Sequence, residues 1–139
     1  MSPPLVLLRI SVALLLGIHG YSRALSGGAT LFGQYLAESG IPLGGGLAWG
    51  ITGFEMIGSV LLLLGRFVPW IAAGHAAILL GGIVMVHARE GWFVVDGGRN
   101  GVEYSVLLLV SLAVIAWSHR LHQAAGAVTR TGSEDKPRK

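Results

Sequence analysis

No cysteine occurs anywhere in the chain. That excludes disulfides, thiolate-bound metals and membrane redox chemistry carried by a cysteine pair. Charge is nearly as scarce: 12% of the 139 residues are Asp, Glu, Lys or Arg, against 53% hydrophobic, and the mean hydropathy is +0.67. A chain so composed has too little polar surface to cover a water-soluble sphere. Nucleotide-binding loops and haem-attachment motifs are also missing. The pI of about 9.8 is basic, but Arg130, Lys136, Arg138 and Lys139 sit in a short polar tail. No basic face interleaved with aromatics is present, which argues against nucleic acid.

What the chain does have is four long apolar runs, roughly Pro4 to Gly20, Gly46 to Gly65, Phe67 to His87 and Gly101 to His119. Each is close to the ~20 residues that cross a ~30 Å hydrocarbon core. The expected fold is all-α, a four-transmembrane-helix antiparallel bundle in the bilayer, occupying residues 1–123. The first run lacks a preceding basic stretch, is interrupted by Arg9, and is followed by Tyr21-Ser22-Arg23 with no small-x-small site. It is expected to stay in the mature protein rather than act as a signal.

The connections differ in character. Gly65-Arg66-Phe67-Val68-Pro69 turns the chain within a few residues, so the second and third runs are antiparallel neighbours. The segment Arg89 to Asn100 is charged, with Asp96-Gly97-Gly98 as its clearest breaker. In the first connection Leu31, Phe32, Tyr35 and Leu36 recur at helical spacing opposite Gln34, Glu38 and Ser39, and Gly40-Ile41-Pro42 ends the pattern. That predicts a short helix in the membrane interface. Residues 124–139 read as a disordered basic tail. With both termini inside, Arg9, Arg66, Arg120, Arg130, Lys136, Arg138 and Lys139 lie at or near the cytoplasm and only Arg23, Arg89 and Arg99 lie outside. The asymmetry favours both termini in the cytoplasm. Trp49, Trp70, Trp92 and Trp117 fall near run ends, as interface anchors do.

Ionisable groups inside such runs are expensive, so they mark the candidate site. Glu55 shares its helical face with Ala48, Thr52, Gly58, Ser59 and Leu62, a small and weakly polar stripe expected to pack against protein. By the ~1.5 Å rise per residue, Glu55 lies roughly 16 Å from the turn at Arg66 and His75 roughly 13 Å from it. His75 and Arg9 are therefore the two candidate partners of Glu55. At the other end His19, His87, Glu103 and Tyr104 gather at helix termini, with Arg89, Glu90, Asp96 and Arg99 in the adjoining loop. This outer polar cluster and Glu55 are expected to bound one cavity, with the glycines at 53, 58, 81 and 82 leaving little side-chain volume between. Ala73, Ala77 and Gly81 form a small-residue ladder suited to close helix approach. His119 and His122 are spaced three apart, but two ligands do not make a metal site, and no metal is expected.

Ile18-His19-Gly20 closing a first run with an early arginine, the loop ending Gly40-Ile41-Pro42, Phe54-Glu55 followed by Leu61-Leu62-Leu63-Leu64-Gly65-Arg66, a third run ending in His87, and Gly101-Val102-Glu103-Tyr104 opening the fourth together resemble the DoxX family over about residues 5–120. The resemblance implies a small four-helix inner-membrane protein, in some members associated with quinone-linked oxidoreductases. On that reading Glu55, His87, Glu103 and His19 handle protons, with Glu55, His87 and Tyr104 at a quinone site. Electrons would come from a partner oxidoreductase subunit or a soluble donor. Two other classes stay open: a non-catalytic membrane scaffold, and a proton-coupled small-solute carrier in which Glu55 and His75 relay protons and a homo-oligomer supplies the rest of the pathway.

Overall fold

A computed structural model describes residues 2–95 and 100–134 of the chain, and side chains through residue 126. Five α-helices run in the order α1 (Pro3–Leu25), α2 (Gly28–Glu38), α3 (Gly44–Leu63), α4 (Val68–Met85) and α5 (Glu103–Glu134), with a single 3-10 turn, His87–Arg89, after α4. Four of them, α1, α3, α4 and the Glu103–Gly126 part of α5, are long and apolar enough to cross a membrane. The all-α bundle is thus the architecture, and no strand occurs among the described residues.

Boundaries differ from the sequence expectation in ways that matter. The first span does not stop at Gly20: α1 continues through Arg23 to Leu25, and the break comes at Gly27, which takes a left-handed φ of 75°. Gly20 is there for another reason. A Cβ on it would sit 2.9 Å from the Glu55 Cβ and 3.2 Å from the Met56 amide nitrogen. Gly17, one turn earlier, is similarly pressed against Ser59. These two glycines let α1 lie against α3 at backbone distance, the usual means by which membrane helices pack without a hydrophobic drive. The expected ladder Ala73, Ala77 and Gly81 does not do this: all three are exposed, and the buried face of α4 is Val68, Ile71, Ala72 and His75.

The short interfacial helix is α2, which buries Ala29, Gly33 and Leu36 and packs on α3. Its approach is also glycine-limited, since a Cβ on Gly44 would meet the Gly33 carbonyl oxygen at 2.5 Å. The Gly40 and Ile41 amides donate back to Ala37 and Leu36 and end α2. The same pattern at Gly65 and Arg66 ends α3. On α3 the buried residues are Gly44, Ala48, Thr52, Glu55, Gly58, Ser59 and Leu62, the face expected from periodicity. Thr52 and Ser59 donate their hydroxyls to the Ala48 and Met56 carbonyls, so neither leaves a bare polar group inside.

The hydrophobic core, built from Val12, Leu16, Leu62, Ile71, Leu112 and Ile115 among others, joins α1, α3, α4 and α5. Beyond it α5 runs on as helix to Glu134, past position 124 where the sequence suggests a disordered tail. Residues 135–139 lie outside the described residues, as do Asp96 and Arg99 of the expected outer cluster.

Candidate functional site

At the end of the bundle where α1 ends, α3 begins, α4 ends and α5 begins, the helices leave a cavity of about 770 Å³. That volume lies within the range of ligand pockets, ~300–1,000 Å³. Its walls are mainly aliphatic, from Leu15 and Leu16 of α1 to Ile51 of α3, Ile78 of α4 and Leu108 of α5, with α2 contributing Phe32 and Leu36. The polar side chains on it are few: His19, Arg23, Glu55, His87, Asn100, Tyr104 and Ser105.

The centre of this set is an ion pair. Arg23 Nη1 donates to Glu55 Oε2 at 2.7 Å, with side-chain exposures of 18% and 5%. The Arg23 guanidinium also lies over the Phe32 ring, 5.1 Å from its centroid. This corrects the sequence expectation for the partner of Glu55, which named Arg9 or His75. His75 is buried at 1% exposure, but its ring meets Phe54 edge-on and neither nitrogen has a hydrogen-bond partner among the described residues. Its Nε2 faces Gly58 instead. Arg9 lies at the opposite end, against Gly65. The reason is the helix boundary: about four turns of helix separate Arg9 from Arg23, and only a helix continuing past Gly20 brings the second arginine beside Glu55.

One group of the outer cluster stands apart from the cavity. Glu103 does not line the cavity; its Oε1 accepts the Val94 amide at 3.0 Å. Together with the Gly101, Val102 and Glu103 amides, which donate to Phe93, Gly91 and Trp92, it fastens the loop to the start of α5. Gly101 has no room for a side chain there, since a Cβ would stand 2.5 Å from the Trp92 carbonyl. His87 is held by Nδ1 donating to the Asn100 carbonyl at 2.7 Å. That hydrogen bond assigns the proton to Nδ1 and leaves Nε2 as an acceptor. His19 and Tyr104 line the cavity without a side-chain hydrogen bond of their own among the described residues. Of the glycines expected between cluster and Glu55, Gly81 and Gly82 line the cavity, whereas Gly58 packs on His75.

Arg23 is the residue that sequence reasoning missed. With the first run ending at Gly20, the sequence leaves Arg23 outside the span. The available signal was its i+4 spacing from His19 on one helical face, with Gly27-Gly28 as the stronger stop. No cluster of three or more His, Cys, Asp or Glu side chains able to hold a metal is present among the described residues.

No curated protein and no solved structure matches the chain. A family model does: DoxX, over residues 5–88, which takes in α1 through α4 together with Arg23, Glu55 and His87, and leaves out Glu103 and Tyr104. With that match over more than half its length and four membrane-crossing helices, the chain is a multi-pass membrane protein of the DoxX family.

Proposed function

We propose that the cavity binds the head group of a quinone, and that the protein is a quinone-linked subunit or accessory protein of a membrane oxidoreductase system. One observation carries the reading: a ligand-sized, mostly aliphatic cavity beside a partly buried Arg23–Glu55 pair, within a membrane-spanning bundle. Quinones are apolar rings with two carbonyl oxygens, and reduction of one to a quinol takes up two electrons and two protons. The carbonyls need donors, and the remaining N–H groups of Arg23 and the Tyr104 hydroxyl are donors. A quinol hydroxyl needs an acceptor, and Nε2 of His87 is one. Glu55 is the carboxylate positioned to exchange a proton with a ligand that displaces it from Arg23. The sequence carries no motif for an electron carrier, so the electrons come from a partner subunit or a soluble donor.

The carrier reading loses support from the same geometry, since Glu55 is joined to Arg23 and not to His75. In the proposed orientation both termini face the cytoplasm, and the cavity opens towards the outer leaflet of the inner membrane. A cysteine placed at Ser133 is then labelled from the cytoplasmic side and one at Gly97 from outside. Purification from native membrane followed by solvent extraction tests the function. Stoichiometric quinone in the parent, lowered in a folded Glu55→Gln variant and in His87→Ala, supports it. Parent protein free of quinone and unable to take it up leaves the scaffold reading in its place.

A further inference from the structure

The opposite end of the bundle has its own, simpler electrostatics. Arg9, Arg66 and Arg120, with His119 and His122, lie there, and no carboxylate among the described side chains accompanies them: Glu38, Glu90 and Glu103 belong to the cavity end and Glu55 to the cavity itself. Between α4 and α5 at this end runs a second hollow, a groove of about 350 Å³. It exists because Ala72, Ala73 and Ala76 on α4 face Ala113 and Ala116 on α5, where larger side chains would have met and closed the gap. Ala73 and Ala113 are exposed, so the groove opens sideways from the bundle. Its end towards the tight turn is marked by Pro69 in the first turn of α4 and by Trp117 and Arg120 on α5.

From this arrangement we infer an anionic-phospholipid site that is separate from the cavity and does not depend on its ligand. One acyl chain lies in the alanine groove and the phosphate meets Arg120. Length agrees: Leu109 to Arg120 spans roughly 16 Å along α5, about half of a ~30 Å hydrocarbon core. A tail from one leaflet therefore fills the groove while its head group stands at Arg120. Hydrocarbon must occupy a lipid-facing hollow of this kind, and the alanines give it a seat that bulkier residues would deny. The charge at this end selects among lipids, because Arg120 on the groove, with Arg9 and Arg66 elsewhere at the same end and no carboxylate among the described side chains, favours a net-negative head group over a zwitterionic one.

Native mass spectrometry of the purified full chain, with dioleoyl phosphatidylglycerol or dioleoyl phosphatidylcholine added, tests the site. Phosphatidylglycerol is expected to bind several-fold more tightly than phosphatidylcholine. Arg120→Gln should lower phosphatidylglycerol affinity roughly five-fold, the loss of one cationic contact at the membrane surface, and leave phosphatidylcholine unchanged. Arg89→Gln, at the cavity end, should change neither. Ala113→Phe fills the groove and should reduce both lipids; Ala73→Leu does the same if Ala113→Phe fails to elute as a folded species. Equal binding of the two lipids by the parent overturns the inference, as does a preference that survives Arg120→Gln. Groove-filling variants that keep both lipids but dissociate a dimer into monomers also overturn it, and assign the groove to a second copy of the chain.

Discussion

Glycine does opposite work on the two sides of Glu55. On the α1 side, Gly17 and Gly20 are so tightly covered by α3 that no Cβ fits, and the helices touch at backbone level. On the α4 side, Gly81 has nothing within 4 Å of where its Cβ would be, and it lines the cavity. The first pair shields the carboxylate from lipid and brings the last turn of α1, with Arg23, alongside it. The second leaves space for a ligand. A small residue in a membrane helix therefore means contact or vacancy according to its neighbour, and the neighbour is a property of the fold.

The largest expected effect bears on what the tight side protects. Arg23→Ala strands a carboxylate that is 5% exposed, and breaking a pair of this kind costs about 3 kcal/mol, the low end of the usual range because Arg23 is partly solvated. Thermal unfolding in detergent should show this loss. The double variant Arg23→Met, Glu55→Leu should recover most of it, because no charge is then left buried. A double variant as unstable as the single one would show that the pair is not what holds this region.

Next in size is the glycine contrast itself. Gly20→Ala forces α1 away from the Met56 backbone and is expected to lower stability by about 2 kcal/mol, as overpacking does. Gly81→Leu enters open space and should change stability by less than ~0.5 kcal/mol while reducing quinone retention. If the two substitutions act alike on stability, the distinction between contact and vacancy fails.

A smaller effect is expected at His75, whose nitrogens have no partner. His75→Phe removes two unsatisfied polar atoms while keeping an aromatic ring beside Phe54, so the midpoint should stay within about 1 kcal/mol of the parent or rise. A clear loss would reveal a hydrogen bond made by His75 that the helices themselves do not supply. Smallest is Tyr35→Phe, which deletes the exposed hydroxyl bond to the Met85 carbonyl at 2.9 Å and should cost no more than ~1 kcal/mol, read as a slight loosening of α2 by hydrogen exchange.

Much of the architecture was legible beforehand, and for local reasons. The four spans follow from long, predominantly apolar runs, and α2 from its helical repeat ended by Gly40. The buried face of α3 follows from a stripe of small and weakly polar residues around Glu55. Glu55 could be singled out because a carboxylate in a membrane span is too costly to be incidental. What was misread involves distance in sequence. Gly20 has the composition of a stop, and only Glu55 and Met56 of α3, more than thirty residues on, show it to be a crossing point. Glu103 looked like part of a reactive cluster until the loop folded back and its carboxylate took the Val94 amide.

The sequence by itself determined that this chain lives in a membrane as helices and which few ionisable groups lie within its spans, because hydropathy and helical period act within a turn or a span. Only the tertiary structure decided that Arg23 rather than Arg9 or His75 neutralises Glu55, and that a cavity lies beside the pair. Those outcomes depend on which backbone a missing side chain lets in, a steric question that the two helices answer together.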